Sequence, residues 1–68
     1  MEINVGDKFI LHDTSGYDYS FEVININDFR EPSMRYAVQA YDPYGEPCDG
    51  LYFIGDDFFT TRNWSRSE

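Results

Sequence analysis

The chain has one cysteine, three prolines and only five basic residues, and no long apolar run. Each shortage excludes something. A lone thiol, Cys48, forms no internal disulfide, so the fold stands without covalent staples; a single thiol also suits a reducing compartment. No window approaches the ~18 consecutive apolar residues of a membrane-spanning helix. The start, MEINVGDKF, has no basic leader and no apolar stretch behind it, so a signal peptide is not expected and a cytoplasmic location is. Five Lys and Arg against thirteen Asp and Glu leave a net charge of −8. Nucleic-acid affinity comes mostly from basic contacts to phosphate, so this balance argues against direct nucleic-acid binding and against anionic membranes. The expected partner is a protein with a basic surface, met quickly because opposite charges steer encounter.

What the chain does have is aromatic residues. Six Tyr, six Phe and one Trp in 68 residues carry large areas to bury, which separates this sequence from disordered acidic chains. The length allows one domain, expected over residues 1–64 with a fraying tail at 65–68.

Period-two alternation dominates and no sustained helical period appears. A turn at Gly6 and Asp7 leads into a strand near Lys8 to His12. TSGYD, residues 14–18, is turn chemistry. The strand from Tyr19 to Asn27 is the clearest: Tyr19, Phe21 and Val23 share one face, and Asp18, Ser20 and Glu22 the other. The phase then flips to Ile24 and Ile26, which predicts a β-bulge. Pro32 interrupts the pattern, and Met34, Tyr36, Val38 and Ala40 resume it on one face. Asp42-Pro43-Tyr44-Gly45 is a strong turn. The returning strand becomes regular near Leu51 to Ile54. Gly55-Asp56-Asp57 then starts a short helical turn with an Asp as cap, and Phe58 to Trp64 supplies a last strand. The expected fold is all-β: a small antiparallel barrel of four to five strands with one helical turn near residues 55–59. Its core is expected from Phe9, Phe21, Tyr36, Phe53 and one of Phe58 and Phe59.

The order of elements, with VGDKF at the start and YFIGDDFF near the end, resembles the SH3-like small barrels over roughly residues 5–64. Tyr17-Asp18-Tyr19 also looks like the tyrosine motif of peptide-binding SH3 domains. That motif lies in the first strand there and is paired with a mid-chain tryptophan. Here it follows the first turn, and Trp64 is near the end, so the resemblance implies a fold and not proline-peptide binding.

No catalytic motif is present. His12 and its neighbour Asp13 point to opposite faces of a strand, and Cys48 has no adjacent base to lower its pKa. Asp42, Asp49, Asp56 and Asp57 are oxygen donors without the order of a calcium loop, and they read as a solvated loop and a helix cap. Asn63-Trp64-Ser65 matches the glycosylation acceptor only formally. Neither a metal nor a cofactor is expected.

The informative surface is acidic and aromatic. Thirteen rings exceed what a small barrel buries, and Tyr17, Tyr44, Tyr52 and Trp64 are the candidates for exposed contact residues. Among the acids, Asp18 and Glu22 lie with Ser20 in a row along one strand, neighbours in the row about 6.6 Å apart. Asp13 and Asp28 bracket that hairpin, and Asp42, Glu46 and Asp49 crowd the next loop. Such carboxylates either keep the protein soluble or stand in for phosphates on a basic channel. In size and charge the chain is similar to small acidic inhibitors made by phages and mobile elements, anti-restriction and anti-CRISPR proteins among them. That resemblance implies a non-enzymatic inhibitor acting in the host cytoplasm. The alternative is an SH3-like adaptor or accessory subunit that binds a peptide or protein through its aromatics.

Overall fold

Alternation on the second strand sets the sheet. Tyr19, Phe21 and Val23 meet apolar partners on both sides: Leu11 opposes Tyr19, Phe9 and Ala40 flank Phe21, and Val38 opposes Val23. Burying one face of each strand therefore fixes the register. The computed structural model describes residues 2–67. Among them are β1 (Lys8–His12), β2 (Asp18–Ile26), β3 (Tyr36–Tyr41), β4 (Tyr52–Ile54) and β5 (Trp64–Ser67). They form one antiparallel sheet in the order β4-β3-β2-β1-β5. A 3-10 turn at Pro32–Met34 precedes β3, and the helix α1 (Asp56–Thr61) joins the two edge strands, β4 and β5. No described helix is long and apolar enough to cross a membrane.

The core runs through every element that faces inward. Phe9, Val23, Tyr36, Val38 and Phe59 are buried together, with Phe21, Ile26, Ile54, Phe58 and Trp64 packed against them. Phe59 reaches the middle from α1. Its ring stands edge-on to Trp64 at 5.0 Å, Phe9 at 5.1 Å and Tyr36 at 5.8 Å, joining β5, β1 and β3 through one side chain. Edge-to-face pairs of this kind add about 0.5–1.5 kcal/mol each beyond their buried area.

The β2–β3 register shifts between Val23 and Asn25, so the expected bulge is present. Ile24 is the extra residue, and it is exposed instead of apolar core; only Ile26 turns inward. Other expectations need correction. Met34 lies in the 3-10 turn and is exposed. Phe53 is 41% exposed, because Tyr52 and Phe53 alternate and Phe53 takes the outer face under the Arg30 guanidinium, 4.9 Å from its ring centre. The last strand is Trp64–Ser67, not Phe58–Trp64. Residues 65–67, expected as a tail, belong to this strand and pair with Lys8 to Ile10, while Glu68 lies outside the described residues.

Helix α1 starts at Gly55, which supplies no side-chain cap, so the expected Asp cap is absent. Asp56 instead accepts from Arg35 Nη1 at 2.9 Å and from the Tyr36 hydroxyl at 2.7 Å. Burial, then that hydrogen bond to Asp56, holds the Tyr36 hydroxyl above its ordinary pKa. Gly55 is required sterically. A Cβ there would sit 2.5 Å from Ser33 Cα and collide with the Pro32 carbonyl, so the 27–35 connection rests directly on the start of the helix.

Candidate functional site: the hairpin end of the sheet

Antiparallel pairing gathers distant segments at one end of the sheet. His12 opposes Asp18, so the 13–17 turn lies there. Ser20 opposes Tyr41, which bridges Pro47, so the 42–51 loop lies there too. Leu11 opposes Trp64, which brings Arg62 and Asn63 from the end of α1. This hairpin end therefore collects Asp13, Asp18, Asp42, Glu46 and Asp49 with Tyr17 and Tyr44. The opposite end holds the 2–7 lead-in, the 27–35 connection and the start of α1.

The turns that present these groups are built by their own acids. The Asp13 carboxylate accepts from the Ser15 hydroxyl at 2.6 Å and the Thr14 N–H at 2.9 Å, which keeps it below the ordinary carboxylate pKa. Asp42 accepts from the N–H groups of Tyr44 and Glu46, both at 2.9 Å, and Gly45 closes the turn at φ 86°. These bonds organise the backbone of the two turns. Glu46 and Asp49 are exposed, and among the described residues neither meets a cation within ion-pair distance. Tyr17 is 55% and Tyr44 86% exposed, so both stand free at the tips.

Three predicted contact residues are placed differently. Trp64 is half-buried against Phe9 and Phe59, and its indole N–H donates to the Phe59 carbonyl at 2.8 Å; it is core, because the only strand left to pair with β1 starts there. Asp28 lies at the opposite end, 3.5 Å from Arg35 Nε, and does not bracket the hairpin with Asp13. Glu22 is half-buried opposite Lys8. The row Asp18, Ser20, Glu22 does share the outer face, but Lys8 and His12 lie beside its two acids, which weakens it as a run of bare charge.

His12 itself was missed as an organiser. Its Nδ1 lies 3.1 Å from Asp18 Oδ1 and its Nε2 3.0 Å from Ser65 Oγ, tying β2, β1 and β5 together across the outer face. Carboxylate, imidazole and hydroxyl stand in the order of a nucleophilic relay. The His12 N–H donates to the Asn63 carbonyl at 2.8 Å, and β1 is paired on both sides, with β2 and β5. Among the described residues, no three His, Cys, Asp or Glu side chains converge as metal ligands.

On the inner side, the sheet and α1 leave an open apolar groove of about 310 Å³. Tyr19, Phe21, Cys48, Tyr52, Phe53 and Phe58 are among the residues that line it, with Ala40 and Ile54. Cys48 is placed by its N–H donating to the Ala40 carbonyl at 2.9 Å and by its carbonyl accepting from Gln39 Nε2 at 3.0 Å. Tyr52, one of the predicted contact aromatics, is 49% exposed on this wall. Comparison with protein-family models, curated proteins and solved structures gave no match to this chain.

Proposed function

We propose that this protein is a non-enzymatic interaction module whose hairpin end docks on a basic surface of another protein. The observation that carries this reading is the convergence of five carboxylates, from two segments apart in sequence, around two exposed tyrosines with Arg62 the sole Lys or Arg beside them. Exposed Tyr offers contact area at low entropic cost, and the unpaired acids steer and select a cationic partner. The specific form is an inhibitor, phage or mobile-element in origin, that covers the nucleic-acid-binding surface of a host defence protein in the host cytoplasm. Small size and the net charge of −8 support that form.

A salt-graded pull-down from host lysate tests it. Binding should weaken steeply between low and ~0.5 M salt, where the screening length falls to a few ångströms. The captured protein should also be released by DNA or RNA. Glu46→Lys with Asp49→Lys should abolish capture, whereas Asp28→Lys at the opposite end should not. Capture that survives both high salt and the charge reversal sinks the reading. The second reading, an adaptor that binds a peptide or protein through aromatics, is favoured by the apolar groove at Tyr52. It predicts capture that tolerates salt and is lost with Tyr44→Ala or Tyr52→Ala.

A further inference from the structure

We infer that the inner groove receives an apolar side chain of the partner from a segment flanked by Lys or Arg, so that one peptide stretch engages groove and acids together. This rests on the proposed docking of a basic protein and specifies its chemistry. At about 310 Å³ the groove is at the lower limit of ligand pockets, suited to one or two side chains and too small for a large cofactor. Its aromatic and aliphatic walls offer no charged group to fix a polar ligand.

Charge lies at its borders. Cys48, on one wall, sits between Glu46 and Asp49 in the acidic loop. Phe58, on another, follows Asp57, which is exposed and meets no cation within ion-pair distance among the described residues. Phe53 also contributes to the groove wall, and the Arg30 guanidinium lies over its ring, one cation against these three acids. An apolar slot bordered by unpaired acids repels an acidic segment and a second copy of this acidic chain. It favours an apolar residue between cations.

Cys48 is a reporter within the groove, being the sole thiol and half-buried. The test measures its reaction rate with a disulfide reagent in the presence of millimolar blocked peptides. Lys-Leu-Phe-Lys should slow the reaction about fivefold, and ~0.5 M salt should remove most of that protection. Glu46→Gln with Asp49→Asn should weaken the peptide about threefold to tenfold, and Tyr52→Ala about tenfold. Both variants alter exposed side chains, so folding is retained. Equal protection by Glu-Leu-Phe-Glu overturns the charge selection. Equal protection by Lys-Ser-Ser-Lys, or none by any peptide, overturns the groove. Protection that rises with the protein's own concentration would mean a second copy fills it and also overturns the inference. Alkylation of Cys48 by N-ethylmaleimide separates the two proposals. Loss of the pulled-down partner supports the groove. Salt-sensitive capture that persists after alkylation leaves the docking surface standing and removes the groove, whereas charge reversal without effect on capture removes the docking surface itself.

Discussion

The two ends of the sheet use carboxylates in opposite ways. At the far end, Asp28 and Asp56 share Arg35, and Asp7 pairs with Arg66 at 3.0 Å. Arg66 also donates to the Glu2 carbonyl, so the last strand fastens the lead-in. Here acids close the molecule. At the hairpin end, Asp13 and Asp42 satisfy the N–H groups of their own turns, and among the described residues Glu46 and Asp49 meet no cation within ion-pair distance. Here acids remain available. Carboxylates are therefore paired with guanidinium groups at one end and left without them at the other, and the placement of arginine makes the difference.

The largest test of that division lies between the ends. Phe59→Ala should cost about 3–5 kcal/mol, since its ring joins three strands at the centre of the core. A chain of this length has only about 3–10 kcal/mol in total. Urea unfolding should show the variant largely unfolded at room temperature; a loss below ~1 kcal/mol would mean that α1 is not part of the core.

Glycine substitutions compare the ends directly. Gly55→Ala puts a Cβ into the Pro32–Ser33 backbone, which has no side chain to move aside, and should cost ~3 kcal/mol. Gly45→Ala meets nothing within 4 Å and bears only its positive φ, about 1–2 kcal/mol. Thermal melts of the two variants should rank in that order. The reverse order would mean that the far end is not the tightly closed one.

Much of the hairpin end was legible in the sequence, because hairpins are local. The alternation of Tyr19, Phe21 and Val23, the bulge after Val23 and the turn closed by Gly45 are all written within a few residues of where they act. The far end was not. WSRS carries no alternating apolar signal, and it becomes a strand because β1 offers an unpaired edge more than fifty residues away. Phe58 and Phe59 read as strand by propensity, yet the short link between two edge strands makes them helical. The acids were found by composition, but which were free depended on where Arg35 and Arg66 landed. The groove combines residues 19 to 58 and has no local signature.

Titration probes one acid from each end. Asp7 is held below the ordinary carboxylate pKa, first by the Asn4 N–H and then by Arg66, and Asp13 is held low by Ser15 and Thr14. A lowered folded pKa means stability that is complete above the unfolded value of ~4 and is lost as pH falls through the folded one. Tyr36, held high, works in the other sense: its contribution is complete below ~10 and is lost as pH rises through the folded value. Stability measured across pH should fall at both extremes. Asp7→Asn and Asp13→Asn should each flatten the acid limb, and Tyr36→Phe the alkaline one. An acid limb unchanged in both Asn variants would disconnect these bonds from folding.

The smallest effect carries the sharpest comparison, because one chemical change should have opposite signs at the two ends. Asp56→Asn keeps an acceptor for the Tyr36 hydroxyl but removes the charge that faces Arg35, and should destabilise by up to ~1 kcal/mol. Asp49→Asn removes a charge with no partner from a chain of net −8, relieving self-repulsion, and should be neutral or stabilising by a few tenths of a kcal/mol. Salt distinguishes the causes. Screening should shrink the Asp56 penalty by weakening its pair and shrink the Asp49 gain by weakening the repulsion, so both differences move toward zero. If Asp49→Asn were instead destabilising at low salt, that carboxylate would have a structural partner, and the hairpin end would not be the free acidic surface that the proposed docking requires.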